Sequence, residues 1–119
     1  MAIQIKRVNG NTLFSYFSDG TNLMNEKWMG RKFNTVIMNE RSSYLMWAFN
    51  EMGGRGEDPV KDVAILGLET KDYALCGGGF PIKLKTGEMV AVILASNLPH
   101  EKDHKFIVEG LESYLKTLG

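Results

Sequence analysis

The 119-residue sequence lacks several features that mark specialised classes of protein. Its one cysteine, Cys76, excludes an intrachain disulfide and a cysteine-rich zinc site, and it fits a reducing compartment. The 14 basic and 14 acidic residues leave no basic surplus that would point to nucleic acid. No apolar run approaches the roughly 18 residues of a membrane span, and no apolar leader opens the chain. We therefore expect a cytoplasmic protein that binds neither nucleic acid nor membrane.

The composition that remains is that of an ordinary folded domain. Hydrophobic residues make up 44% and charged residues 24% of the chain, far from the composition of disordered proteins. A chain of this length can bury one core but not two. We expect a single domain over residues 1–119.

The apolar pattern predicts both strands and helices. Alternation, with Asn-Gly and Thr-Gly turns, predicts five strands, at residues 2–8, 12–17, 73–76, 80–85 and 89–95. Apolar residues three or four apart predict three helices, at about residues 25–39, 43–52 and from Pro99 onward. Residues 53–59 are typical of a loop, and residues 60–70 fit a short helix or a strand. The order β-β-α-α-β-β-β-α indicates an α+β domain.

The string from His100 to His104 matches the zinc motif H-E-x-x-H, in which two histidines bind the metal and Glu101 activates water. Pro99 places the string at the start of a helix, and no convincing third ligand follows. Adventitious metal binding by His100 and His104 is thus favoured over zinc-dependent hydrolysis.

His104 continues the apolar stripe of the last helix through Ile107 and Leu111, and therefore points toward the sheet. One interpretation is a packed histidine. The other is a ligand, because a helix N-terminus disfavours the imidazolium and a neutral imidazole can bind a metal or a haem iron.

The segment from Cys76 to Pro81 contains three consecutive glycines, Gly77, Gly78 and Gly79. Three glycines lose much backbone entropy on folding, so their presence indicates that something needs to approach the backbone closely. That could be a ligand, another subunit or a bulge between strands. No Lys-Ser/Thr follows, so the segment is not a phosphate loop. Cys76 fits a buried small residue or a soft metal ligand.

Arg31 and Lys32 lie beside Trp28 in the first predicted helix. Such a pair is typical of a solvated helix face, or it binds a propionate or phosphate. No nucleophile or acid/base pair can be placed, which favours a protein without enzymatic activity.

Four segments in this order resemble one family, the "heme-degrading domain" proteins of the GlcG/HbpS-like group. They are Trp28-Met29-Gly30-Arg31-Lys32, Ser42-Ser43, Gly77-Gly78-Gly79-Phe80-Pro81-Ile82 and Leu98-Pro99-His100-Glu101-Lys102-Asp103-His104. The resemblance covers essentially the whole chain. It implies a profilin-like domain with a five-stranded antiparallel sheet flanked by helices, assembly into homo-oligomers, and binding of haem or a related tetrapyrrole.

This sequence also departs from the family pattern at several places. Family members usually carry a helical stretch before the first strand, so we expect that this domain lacks the N-terminal extension. Cys76 stands where many relatives have histidine, and Asn97 where glycine is common. Asp103 and His104 belong to the family motif whereas position 100 varies, which makes the H-E-x-x-H match accidental.

The resemblance thus implies a homo-oligomeric module that binds haem or another planar small molecule. His104 would be the leading candidate for the iron ligand and Cys76 the second candidate, while Arg31 and Lys32 would meet the propionates. The residues implied in cofactor binding are completed by Trp28, Gly77, Gly78, Gly79 and Phe80. The alternatives are an assembly or protein-interaction module without a ligand and, third, a metal-dependent hydrolase acting through His100 and His104.

Overall fold

The computed structural model describes residues 1–53, 61–97 and 99–118, so most of the predicted 53–59 loop lies outside the described residues. In chain order the elements are β1 (Ala2–Arg7), β2 (Thr12–Phe17), α1 (Leu23–Asn39), α2 (Ser43–Met52), a 3₁₀ helix (Lys61–Leu66), β3 (Gly79–Lys83), β4 (Met89–Ser96) and α3 (His100–Thr117). None of the described helices is both long and apolar enough to cross a membrane.

The four strands form one antiparallel sheet in the order β2-β1-β4-β3. The predicted hairpin between β1 and β2 turns at Asn9-Gly10, where Gly10 takes a φ of 96°. The Asn9 side chain accepts a hydrogen bond from the Asn11 amide at 3.0 Å. Asparagine followed by glycine suits this turn because glycine adopts positive φ without a steric penalty.

The prediction of five strands is wrong at one place, since Tyr73–Cys76 forms no strand. The Ala74 amide donates to the Thr35 hydroxyl oxygen at 3.1 Å, and the Ala74 carbonyl lies 3.0 Å from the same oxygen. A side chain of α1 therefore satisfies backbone groups that a neighbouring strand would otherwise pair. The segment is buried like a strand but lies against a helix.

Local chemistry fixes where the helices begin. An Asn22 and Asn25 capping box opens α1, and the Ser42 hydroxyl accepts from the Leu45 amide at 3.1 Å to open α2. Pro99 precedes α3. The three predicted helices are confirmed, and the largest difference is at the start of α1, which begins two residues earlier than predicted. The segment 60–70, for which the sequence fits a helix or a strand, contains the 3₁₀ helix.

Helices cover both faces of the sheet because successive strand residues point to opposite sides. Met29 and Val36 of α1 pack against Ala2, Val92 and Leu94 on one face, and all five side chains are fully buried. The other face carries α3, whose residue Ile107 is buried there. The smaller helix α2 lies at the β3 edge, where the Ser43 hydroxyl accepts from the Gly79 amide at 2.9 Å.

Candidate functional site

The three glycines before β3 are packed against the protein itself. A Cβ atom at Gly77 would clash with the His100 carbonyl oxygen, and one at Gly79 would lie 2.9 Å from Cγ2 of Val36. Gly78 has a φ of 121°, and a Cβ there would lie 2.6 Å from the Ala95 carbonyl oxygen. The close approach expected from the sequence is therefore made by α3, β4 and α1. This packing accounts for the glycines without a ligand.

His100 uses both of its ring nitrogens inside the chain. The Gly77 amide donates to Nδ1 at 3.0 Å, and Nε2 lies 3.3 Å from a carboxylate oxygen of Glu101. A neutral ring that accepts at Nδ1 carries its proton on Nε2, so neither nitrogen offers a lone pair to a metal. The part of the chain that the structure describes also holds no group of three or more metal-ligating side chains.

His104 lies between α2 and β3, as its predicted orientation toward the sheet requires. Its ring stacks on Tyr44 with centroids 4.5 Å apart and lies 5.9 Å from the Phe80 ring. The buried Nδ1 atom has no hydrogen-bond partner among the described residues. Burial, with a smaller contribution from His100, lowers the pKa of His104. The imidazole is therefore neutral at neutral pH.

A groove runs between α2 and α3 above β3, and we call it the apolar groove. It has a volume of about 640 Å³, and its apolar walls are Leu45, Phe80, Ile82, Leu111, Tyr114 and Leu115. Phe80 joins it to the ring of His104. The charged lining residues of the groove are Arg41, Lys83 and Glu40.

A second cavity, the polar pocket, lies at the carboxyl end of β4 between α1 and the start of α3. Its volume is about 360 Å³, and it is lined by Asn25, Trp28, Lys32, Cys76, Ser96, Asn97, His100 and Asp103. Four of these residues, Trp28, Lys32, His100 and Asp103, come from the motifs that carried the family resemblance, and a fifth, Cys76, directly precedes the glycine motif. The structure thus gathers them around a pocket that His104 does not line.

Lys32 is the main surprise of the polar pocket. The residue is only 3% exposed, so the interpretation as part of a solvated helix face is wrong for it. Its ammonium donates to the Ala95 carbonyl at 2.9 Å and lies 3.4 Å from a carboxylate oxygen of Asp103. A buried charge needs such a partner, and this one ties α1 to α3 across the end of β4.

Cys76 forms a buried part of the polar pocket wall. Burial raises the pKa of its thiol; the Lys32 charge opposes this shift and the Asp103 charge adds to it. The group is therefore a neutral thiol at neutral pH. Metals bind the thiolate, so this environment disfavours Cys76 as a ligand.

Arg31 turns away from its neighbour Lys32. Its guanidinium stacks over the Trp28 ring at 5.0 Å, and Nε donates to the Lys71 carbonyl at 3.1 Å in a separate cleft. The sequence-predicted residues thus fall into three places rather than one. Sequence reasoning missed Tyr44 under His104, and it missed Ser96 as part of the polar pocket, although a polar residue at the end of a buried strand is a usable signal.

Fold and site together define an α+β domain in which a four-stranded antiparallel sheet holds a neutral histidine beside an apolar groove. Comparison with known proteins identifies the family of this domain. The chain belongs to the HbpS-like family, because the family model described as "Haem degrading protein HbpS-like" matches residues 1–112. The family predicted from the sequence motifs is thereby confirmed.

Curated relatives cover nearly all of this chain but are longer. A UPF0303 protein of Azotobacter vinelandii is 38% identical over 117 residues, covering 98% of this chain and 68% of the relative. A UPF0303 protein of Psychromonas ingrahamii is 35% identical over 108 residues, covering 90% of this chain and 64% of the relative. The chain therefore spans about two thirds of the length of these relatives.

Solved structures share the fold. The crystal structure of the Ybr137w protein has a TM-score of 0.85 at 27% identity, covering 99% of this chain and 66% of that one. HbpS has a TM-score of 0.61 at 21% identity, covering 88% and 67% of the two chains. A PduOC:heme complex has a TM-score of 0.64 at 12% identity, covering 87% and 70%. The last two likenesses show the fold alone.

Proposed function

We propose that the protein binds haem or a related planar tetrapyrrole beside the apolar groove, with His104 as the iron ligand. The observation that carries the proposal is the neutral imidazole of His104, held between Tyr44 and Phe80 next to that groove. The haem-related description of the family and the haem-bound relative of similar fold support the same ligand class.

The residues present fit such a group. A neutral imidazole can bind haem iron, and Nε2 of His104 would be the atom that holds it, because Nδ1 is buried. The groove volume of about 640 Å³ lies within the range of roughly 300–1,000 Å³ usual for cofactor sites. When bound, haem would supply a redox-active iron, whose reactivity would depend on the residue that holds it.

The chain's own residues would orient and neutralise the ligand. Tyr44 and Phe80 fix the plane of the imidazole, so that the iron ligand is held in place before binding. Arg41 and Lys83 outnumber the one acidic lining residue, Glu40, and would supply positive charge for propionates at the groove. Lys32 is less suited to this role, because it is buried and paired with Asp103. Cys76, the second iron-ligand candidate from the sequence, lines the polar pocket and not the apolar groove, so it is less suited to this site.

A haem titration followed in the Soret region tests this proposal. We expect the protein to shift and sharpen the Soret band with saturable one-to-one binding, and we expect His104→Ala to lose most of this change. His100→Ala is the matched control, since it removes the same side chain outside the groove. Added imidazole should partly restore the band in His104→Ala. A wild-type spectrum indistinguishable from that of free haem would contradict the proposal.

A second proposed role, homo-oligomeric assembly, is favoured by β2. Among the described residues this edge strand has no partner on its outer side; it carries no charged residue or proline and exposes Phe14 and Tyr16 by 51% and 52%. Edge strands are usually protected by such residues, because free backbone groups pair with other chains. We propose that β2 lies in a subunit contact.

Light scattering tests the assembly. The wild-type protein should have a discrete mass well above 13.3 kDa, and Phe14→Lys should lower it. Met52→Lys is the control, because Met52 is 83% exposed and lies outside β2. A monomeric wild-type protein would refute assembly, and an unchanged mass in Phe14→Lys would place the contact elsewhere and refute the role of β2.

A further inference from the structure

The cleft that Arg31 faces carries a surplus of positive charge. We call it the basic cleft; its volume is about 270 Å³, and among the described residues it is lined by Lys27, Gly30, Arg31, Asn34, Lys71 and Asp72. Three of these side chains are cationic and one, Asp72, is anionic, so the lining carries two net positive charges. None of these residues lines the apolar groove, so the cleft is separate from the proposed haem site.

The positive charges of the basic cleft are not neutralised within the part of the chain that the structure describes. The ion pairs found there lie outside the cleft, and the Asp72 carboxylate is not within ion-pair distance of Lys27, Arg31 or Lys71. Lys27 and Arg31 also lie four positions apart on α1, where like charges repel each other and destabilise a helix. The cleft therefore concentrates charge to the detriment of stability, and a bound anion would offset that repulsion.

Arg31 is held in place while most of its hydrogen-bond donors stay available. Its guanidinium stacks over the Trp28 ring at 5.0 Å, and Nε donates to the Lys71 carbonyl at 3.1 Å. Both of these partner groups are uncharged. A guanidinium also has N–H donors on its two Nη atoms, and these have no acceptor among the described residues. A planar cation oriented in this way suits bidentate binding of a phosphate group.

Gly30 forms part of the cleft wall in the interior of α1, where glycine is the least favourable residue after proline. The packing does not require it, because a Cβ atom there would have no described atom within 4 Å. The run at positions 77–79 differs, since each Cβ there would come too close to the protein itself. A glycine that weakens the helix and leaves open space beside unpaired cations indicates that a ligand approaches the helix backbone closely.

We propose that the basic cleft binds the phosphate group of a small molecule as its dianion, with Arg31 as the bidentate donor and Lys27 and Lys71 as the flanking charges. A phosphomonoester carries about two negative charges at neutral pH, which match the surplus of the lining. A carboxylate carries one charge and would leave part of the surplus unbalanced. Asn34 fixes the segment that bears Lys71, because its amide donates to the Asp72 carbonyl at 2.8 Å. The volume of about 270 Å³ suits inorganic phosphate or a small phosphomonoester.

The test compares methyl phosphate with dimethyl phosphate, which share the tetrahedral group but carry about two and about one negative charges at neutral pH. Each is titrated into the full chain at constant ionic strength. NMR follows the Gly30 amide and the indole N–H signals, with Trp47→Phe to assign the indoles. We expect methyl phosphate to move the signals of Gly30 and Trp28 saturably, and dimethyl phosphate to bind at least tenfold more weakly. Trp47 does not line the cleft and is the internal control. Equal binding of the two esters would overturn the proposal.

Inorganic phosphate distinguishes the two sources of the phosphate group. Affinity equal to or above that of methyl phosphate would identify free phosphate as the ligand. Weaker binding than that of methyl phosphate would show that the cleft also contacts the ester group and prefers a phosphomonoester. A lack of saturable binding by both would refute the proposal.

Two variants should weaken the binding while the protein stays folded. Arg31→Gln removes the guanidinium and should lower the affinity for methyl phosphate at least tenfold, whereas Arg7→Gln, the same change at an exposed position of β1, should leave it unchanged. Gly30→Ala places a methyl group in the cleft and should weaken binding several-fold. The same variant should raise the urea midpoint of unfolding, because alanine favours a helix. Wild-type affinity in either folded variant would overturn the assignment.

Asp72→Asn should have the opposite effect. It removes the negative charge from the described lining and keeps the shape of the side chain, so methyl phosphate should bind several-fold more tightly. Unchanged or weaker binding in this variant would place the phosphate outside the cleft and refute the proposal. His104→Ala should bind methyl phosphate as the wild-type protein does, so this proposal and the haem proposal can fail independently.

Discussion

The two faces of the sheet differ in how completely they are covered. Beneath α1 the core residues Met29 and Val36 are fully buried, whereas on the α3 side Phe14 of β2 and Tyr114 of α3 are more than half exposed. Where α1 covers β1 and β4, its face of the sheet is thus closed by the chain itself, and Phe17 of β2, at the edge of that face, is 42% exposed. The α3 face is left open beside the apolar groove. The buried core under α1 therefore stabilises the fold, whereas the α3 face keeps apolar side chains exposed for binding.

The largest loss of stability is expected when one partner of the Lys32–Asp103 pair, which joins α1 to α3, is removed. Asp103→Ala leaves the Lys32 ammonium buried without its carboxylate, and we expect a loss of about 3–5 kcal/mol in the free energy of unfolding. Urea unfolding followed by circular dichroism measures it. The double variant Lys32→Met with Asp103→Leu should recover most of the loss, because it removes both charges. A loss below about 1 kcal/mol in Asp103→Ala would show that the pair does not hold the two helices together.

A cavity in the closed face should cost nearly as much. Met29→Ala removes a fully buried side chain from the α1 core, and large-to-small changes at such sites cost about 2–5 kcal/mol. The same urea experiment measures the loss. Met38→Ala, at an exposed position of the same helix, is the control and should unfold close to the wild-type midpoint. Equal losses in the two variants would contradict the assignment of the core.

The open face should tolerate a comparable change. Phe14→Thr removes an aromatic ring but keeps a residue that favours strands, so we expect a change within about 0.5 kcal/mol when the protein is dilute enough to be monomeric. A loss as large as that of Met29→Ala under these conditions would mean that β2 belongs to the core.

The smallest effect should come from pH. Burial lowers the pKa of His104 in the folded protein below the value of about 6.5 in an unfolded chain, so the unfolded chain binds more protons between the two values. This contribution to stability is complete above about pH 6.5 and is lost as pH falls through the folded pKa. We expect wild-type stability to fall more steeply than that of His104→Gln in this window. Parallel pH curves for the two proteins would show that the imidazole is not desolvated.

Features governed by local chemistry could be predicted from the sequence. The Asn9-Gly10 turn and the Ser42 cap depend on residues a few positions apart, and the structure has both. The segment 73–76 could not be assigned in this way, because a strand needs a partner and alternating apolar residues do not reveal that Thr35 of α1 takes its place.

The candidate site was predictable only in part for the same reason. The periodicity of α3 indicated that His104 faces inward, but Tyr44, which stacks on it, comes from a helix 60 positions earlier in the chain. The sequence places Arg31 and Lys32 side by side, whereas in the folded helix they face different clefts. Only the tertiary packing separates the apolar groove from the polar pocket.

The glycine run also bears on how tightly this end of the sheet is built. A Cβ atom at position 77, 78 or 79 would come too close to backbone or side-chain atoms of α1, β4 or α3, so each glycine serves folding whether or not a ligand binds. A substitution in the run would therefore test the packing of these elements and not the chemistry of a site. Cys76, which precedes the run, is buried and lines the polar pocket, so a substitution there changes the pocket wall directly.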